Sequence, residues 1–239
     1  MSTAPGQPIR ILSSMATKQI LADLAAAYQA ASGQAVSVES VGGVDAAKRV
    51  QAGEAFDLVI LARNAMDNLQ AAGMLQAGRI EDLVVSGVAV AVPSGAPHPD
   101  IGSEAAVKQA VLSARSLGCS TGPSGVQLGK LFERWGIAET IKPRIVQAPP
   151  GISVGTLIAR GEVTLGFQQL SEMLNVQGIV MIGMLPPDIE IITTFSAAVA
   201  GTCVQPREAA DLLTFMQTPA CAEVIRANGM EPAQQPSAS

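Results

Sequence analysis

The sequence predicts an α/β fold of two lobes, each a mostly parallel sheet flanked by helices, joined by two crossings of the chain. Three observations predict it. Short apolar runs alternate with amphipathic stretches at three-and-four spacing along most of the 239 residues. The run Asp57–Leu61 (DLVIL) is continuously apolar after its first residue, like strands buried on both faces of a parallel sheet. Turns of hydroxyl residues and glycine stand directly ahead of helical stretches at two places far apart, SSMAT (13–17) and TGPSG (121–125).

Taken in order, Pro8–Leu12 reads as a strand and Thr17–Ser32 as a helix closed by Gly33. Ala35–Ser40 alternates as a second strand, and Gly42-Gly43 opens a helix over Asp45–Ala52. The strand Asp57–Leu61 and a helix over Asn64–Ala72 complete a βαβαβα unit. Arg79–Val92 holds two β-like runs, of which Gly87–Val92 is a central strand. Helices follow over Ser103–Ala114, Ser124–Trp135 and Ser153–Arg160, with strands at Ser116–Ser120, Arg144–Gln147, Val163–Gln168 and Ile179–Met181. Ile189–Phe195 reads as a strand returning to the first lobe, and Pro206–Gln217 and Pro219–Asn228 as closing helices. The crossings then fall near Ile80–Val88 and Ile189–Ala197, giving one lobe from 1–83 with 194–239 and an inserted lobe from 84–193.

Composition narrows the function. Hydrophobic residues make up 48% and charged residues only 15%, which argues for a filled core and against disorder. A net charge of −5 with no basic patch argues against a nucleic-acid partner. No run of about 18 apolar residues argues for insertion in a membrane. The polar start MSTAPGQP lacks a leader pattern, so the chain reads either as cytoplasmic or as a mature periplasmic form carrying an added Met1; the tail QQPSAS reads as unstructured. Cys119, Cys203 and Cys221 have no metal spacing; they read as small apolar residues, with a Cys203–Cys221 pair as the alternative. No metal or cofactor is expected, and the chain is expected to be monomeric.

In open α/β sheets ligands sit at the carboxyl ends of the strands. That rule collects the candidate ligand-binding residues. Ser13, Ser14 and Thr17 can cap the first helix or donate to a ligand oxygen. Gly42 and Gly43 permit close backbone approach. Arg63 follows DLVIL where a guanidinium fork suits a carboxylate. Thr121, Ser124 and Gly125 form a turn ahead of a helix that is neither a Walker loop nor a GxGxxG element. Ser153 opens the helix after PPGI, and Gln168 and Gln169 end an apolar strand with neutral amides. Glu172 and Lys48 are the candidates for acid–base work; lone His98, between prolines in a polar loop, reads as surface. No nucleophile triad, HExxH or CxxC is present. The residues point to a small anion in a cleft and leave open whether it is transformed.

The order SSMATK, EAFDLVILARNAMDNLQAAGML, GPSGVQLGKLFERWGI, GEVTLGFQQLSE and terminal GMEP resembles the type II periplasmic-binding-protein fold, and within it the molybdate-binding substrate-protein family, over nearly the whole chain. The resemblance implies two lobes closing on an oxyanion. Met15 stands where that family presents a serine, Gly42-Gly43 near its second serine, Gln169 at its tyrosine and Arg63 at its acidic residue. These departures imply a carboxylate-rich ligand and bring the chain closer to the family's aconitate isomerase branch, which implies a 1,3-proton shift on an unsaturated tricarboxylate. The alternative implied by the same resemblance is a non-catalytic binding protein that delivers molybdate or another small anion to an ABC permease.

Overall fold

The computed structural model describes residues 7–233; Met1 and the tail QQPSAS lie outside the described residues. The chain divides into two units. One comprises both ends, up to Val85 and from Thr194 on; the other is Ser86–Thr193.

In the first unit β1 (Ile9–Ser14) passes through a 3-10 turn, Met15–Thr17, into α1 (Lys18–Ser32), which ends on left-handed Gly33 with φ 74°. There follow β2 (Val36–Val41), α2 (Gly43–Gln51), β3 (Leu58–Ala62) and α3 (Arg63–Ala71). β1 pairs in parallel with both β2 and β3, so all three strands end on one edge. All five residues of β3 are buried, as its continuous apolar run predicts. Then β4 (Glu81–Pro93) begins in this unit and leaves it between Val85 and Ser86.

Within the second unit, β4 continues and is followed by α4 (Glu104–Ser113), β5 (Leu117–Cys119), α5 (Pro123–Arg134), α6 (Ala138–Ile141) and β6 (Ile145–Gln147). Next come α7 (Val154–Ala159), β7 (Leu165–Gln169), α8 (Leu170–Met173) and β8 (Ile179–Met184). β5 runs parallel to β6 and β7, while β4 is antiparallel to β7 and β8. β9 (Ile192–Val199) carries the chain back between Thr193 and Thr194, and pairs antiparallel with β3. Finally α9 (Pro206–Met216), α10 (Pro219–Ala227) and β10 (Glu231–Pro232) pack in the first unit, with β10 antiparallel to β4.

The strands of each unit are therefore mixed rather than mostly parallel: a parallel trio extended by antiparallel strands. The strand Arg79–Val92, expected as two runs, is one 13-residue strand. Gly87 lies within it where Met184 packs closely: a Cβ there would stand 2.6 Å from the Met184 side chain. Both units own a core. Ile11, Leu24, Ile60, Phe195 and Leu212 belong to one in the first, and Val90, Leu128, Phe132 and Phe167 to one in the second. The three cysteines are free thiols, so Cys203 and Cys221 do not pair; Cys221 donates to the Phe215 carbonyl and Cys203 to Asp57. Among the described residues no helix is long and apolar enough to cross a membrane.

Buried Asp57 is the polar anchor of the first unit. Its carboxylate accepts from the Arg10 N–H (2.9 Å), Gln205 Nε2 (3.0 Å), Cys203 Sγ (3.2 Å) and the Val204 N–H (3.4 Å). Burial alone would raise its pKa, but the four donors together hold it below the ordinary aspartate value. It thus fastens β1 to the loop leading into α9.

Candidate functional site

In each unit the candidates, Lys48 excepted, gather at the carboxyl ends of the parallel trio. In the first, β1 ends with Ser13 and Ser14, both buried. Ser13 is in register with Ser40 of β2, and their hydroxyls lie 2.7 Å apart. Thr17 Oγ1 donates to the Ser14 carbonyl (3.1 Å), and neither Ser14 nor Thr17 caps a backbone N–H with its side chain. The capping role that composition allows is thus not the one these hydroxyls play. Gly43 approaches the same loop: a Cβ on it would stand 3.9 Å from Ser14 Cβ. Met15 is half-buried beside them.

Arg63 begins α3 at the same edge, as expected, and is already paired. Its Nε donates to Asp67 (2.8 Å, one helical turn on) and its Nη1 to Asp82 of β4 (3.0 Å). Asp82 also accepts from Ser196 Oγ of β9 at 2.6 Å. A ligand carboxylate would have to share this guanidinium or draw it from Asp82. Lys48 is exposed in the last turn of α2, removed from the edge where that helix starts.

In the second unit the turn after β5 places Ser120 Oγ 3.1 Å from Ser124 Oγ, and Ser124 is buried. Gly125 is required there, since a Cβ would stand 1.8 Å from the Ser120 carbonyl oxygen. Thr121 is exposed at the mouth of this turn. Ser153 is a true cap, accepting the Thr156 N–H at 3.1 Å. Gln169 is buried; with its carbonyl accepting from Thr193 Oγ1 (2.7 Å), its amino group reaches Ser86 Oγ (2.9 Å) and the Ser86 carbonyl (3.1 Å). It pins β7 to the two strands through which the chain enters and leaves the unit.

Gln168, also buried, makes a different link. Its Oε1 accepts the Val154 N–H at the start of α7 (2.6 Å), and its Nε2 donates to Glu172 Oε1 (2.8 Å). Glu172 is half-buried. Burial pushes its carboxyl up to about 7, against the opposing pull of the Gln168 hydrogen bond. α7, β7 and β8 carry no ionisable side chain, and Glu172 is the only one in α8.

Most helix starts at these edges lack an acid, a feature missed from sequence. α1, α3, α5 and α7 start at the carboxyl edges and carry no acid in their first turns. Of the helices that start elsewhere, α4, α6 and α9 carry Glu104, Glu139 and Glu208, the residues a helix dipole favours, while α10 carries none. Two edge helices even begin with cations, Lys18 on α1 and Arg63 on α3. Lys18 is exposed directly after Thr17, and its signal in the sequence was a lysine where the dipole disfavours one. Asp45 and Glu172 are the acids that depart from the pattern.

Among the described residues no group of three or more His, Cys, Asp or Glu side chains is placed to hold a metal. A cavity of about 570 Å³ opens at the opposite end of the second unit, beside Pro93, Pro97, Ala110 and Arg115, and none of the candidates lines it.

This architecture is the α/β fold of periplasmic binding proteins. The chain is similar to the periplasmic molybdate-binding protein of Azotobacter vinelandii (TM-score 0.79, 18% identity, covering 95% of this chain and all of that one) and to the sulfate-binding protein SubI of Mycobacterium tuberculosis (TM-score 0.76, 15% identity, covering 95% and 87%). Residues 9–231 match the bacterial extracellular solute-binding protein family, and the chain belongs to that family. It is also 33% identical over 240 residues to an aconitate isomerase of Pseudomonas sp., covering 97% of this chain and 90% of that protein.

Proposed function

We propose that the two units are the lobes of a clamshell, divided near 83/84 and 193/194, that closes on a small multiply charged carboxylate and isomerises it, the protein acting as an aconitate isomerase. The observation that carries this reading is the near full-length likeness to the Pseudomonas enzyme. The helix starts support it, because uncapped and acid-free first turns suit carboxylate oxygens. In this reading Ser13, Ser14, Met15, Thr17 and the Gly42-Gly43 backbone, with Lys18 and Arg63, hold carboxylates from one lobe. Thr121, Ser124, Gly125, Ser153, Gln168 and Gln169 shape the other wall. The site lies within one chain, so a monomer suffices, and family membership favours the periplasm.

The reaction is a 1,3-proton shift. A base removes the proton from the CH2 carbon next to a carboxylate, and the electron pair of that C–H bond delocalises across the allyl system. Donors hold the negative charge that develops on oxygen, and a proton then adds at the other allylic carbon, so the double bond moves without redox change. Incubating the full chain with trans-aconitate and following cis-aconitate by proton NMR tests the reading, with turnover expected.

A second reading is favoured by the family match: a non-catalytic binding protein that hands an anion to an ABC permease. Tight molybdate or sulfate binding without conversion of aconitate would establish it in place of the first.

A further inference from the structure

We infer that Glu172 is the catalytic acid–base that moves the proton in this isomerisation, and that Gln168 is the residue that positions it; the inference rests on the isomerase reading above. Three independent features of the second unit carry it. Glu172 stands at the carboxyl edge of β5, β6 and β7, where the neighbouring helix starts of α5 and α7 carry no acid. It is therefore an exception in a place otherwise suited to anions. Its hydrogen-bond partner is neutral, and α7 and β7, which pack against α8, carry no ionisable side chain. A carboxyl so placed is costly to a fold that gains nothing from it, a common mark of a group retained for chemistry. Finally, its orientation is fixed from behind. The Val154 N–H occupies the carbonyl of Gln168, so the Gln168 amino group must turn to Glu172 Oε1.

A carboxyl that titrates near neutrality can do both halves of the shift. As the carboxylate it takes the proton from the CH2 carbon, and the C–H electron pair enters the allyl system. As the carboxylic acid it returns a proton to the other allylic carbon, regenerating the carboxylate. One C–H bond breaks, one forms and the double bond moves, with no second reactant. The rise of Glu172 to about 7 fits this double duty and sets a pH signature. In kcat/KM, activity climbs through a limb near neutral pH as the free carboxylate forms. In kcat the limb lies higher, because the bound substrate's negative charges hold the proton on Glu172 more tightly.

The test compares wild-type protein with Glu172→Gln and Gln168→Leu, using trans-aconitate throughout. Glu172→Gln keeps shape and the hydrogen bond from Gln168. It is expected to retain the thermal shift caused by trans-aconitate while losing turnover by about 100-fold or more, together with exchange of the allylic protons in D2O. Gln168→Leu is expected to move the kcat/KM limb to higher pH, since the donor that lowers the Glu172 pKa is gone; a merely structural loss would lower activity without moving the limb. Turnover by Glu172→Gln within about threefold of wild type overturns the inference and leaves the isomerase reading standing. Wild-type protein that binds trans-aconitate without converting it or exchanging its protons overturns both. An unmoved limb in a folded, active Gln168→Leu protein removes Gln168 from its positioning role.

Discussion

Glu172→Gln also makes a prediction about stability that is independent of substrate. The wild-type carboxyl ionises near 4.5 in the unfolded chain and near 7 when folded. The folded pKa is raised, so the group's stabilising contribution is complete below about pH 4.5 and drains away as pH rises through 7. At about 1.36 kcal/mol for each pH unit of displacement, the full loss is about 3 kcal/mol. Glutamine has the same shape, accepts the same hydrogen bond and never ionises. The variant should therefore match wild type within about 1 kcal/mol at pH 4.5 and exceed it by about 3 kcal/mol at pH 8. Most of that gap opens between these limits. Urea unfolding of both proteins across the range measures it directly, because every other titrating group is common to the pair and cancels. A difference that stays flat with pH would refute the reasoning. It would mean that Glu172 is solvated or is charge-compensated by a group outside its own unit.

Other perturbations follow from the same geometry. Asp57→Ala should destabilise the protein by about 1–3 kcal/mol at neutral pH, because it strips the acceptor from part-buried donors on Arg10, Cys203, Val204 and Gln205; denaturant unfolding reads this out. Since the Asp57 pKa is lowered on folding, its share of stability should be present at neutral pH and fade as pH falls through its folded pKa, below the ordinary 3.8. Gly125→Ala must push the start of α5 away from the Ser120 carbonyl, costing roughly 1–3 kcal/mol of stability and weakening trans-aconitate binding measured by calorimetry. Arg63→Ala should change unfolding by no more than about 1 kcal/mol, its two ion pairs being half exposed, yet weaken trans-aconitate binding about tenfold or more. Unchanged affinity would remove Arg63 from the site.

Much of this was legible in the sequence because it is local. The hydroxyl and glycine turns, the buried run DLVIL and the Gly33 stop all act within a few residues, and each stands where its pattern indicates. The cap at Ser153 is equally local, a hydroxyl three residues before Thr156. What the sequence concealed depends on distant partners. Asp67 is an i,i+4 neighbour of Arg63, whereas Asp82 and Ser196 join it only because β4 and β9 return to this part of the fold. Gln168 reads from sequence as a neutral amide for a ligand; its bonds to Val154 and Glu172 were hidden, because that link exists only once α7 packs on β7. Short α6 escaped notice because four residues span barely one turn and leave no periodicity to read.

The distribution of charge between the two edges carries a constraint on the proposed chemistry. A substrate with several carboxylates needs cations, and a carboxyl that must hold a proton near neutrality needs to be kept from them. A cation within about 4–6 Å lowers a carboxyl pKa by 1–3 units. Lys18 and Arg63 stand at the edge of the first unit, whereas α5, α7 and α8 begin in the second without a cation in their first turns. In the proposed clamshell this division lets one lobe neutralise the substrate while the other handles its proton. Arg63 fits such a role in moderated form. Asp67 and Asp82 offset its charge, so its attraction for a carboxylate is tempered and release of product is not blocked by an unshared guanidinium. Molybdate, a compact dianion satisfied by neutral donors, would need neither the cations of one edge nor the proton-holding carboxyl of the other. The placement of Glu172 therefore favours transformation of a carboxylate over simple capture of an oxyanion.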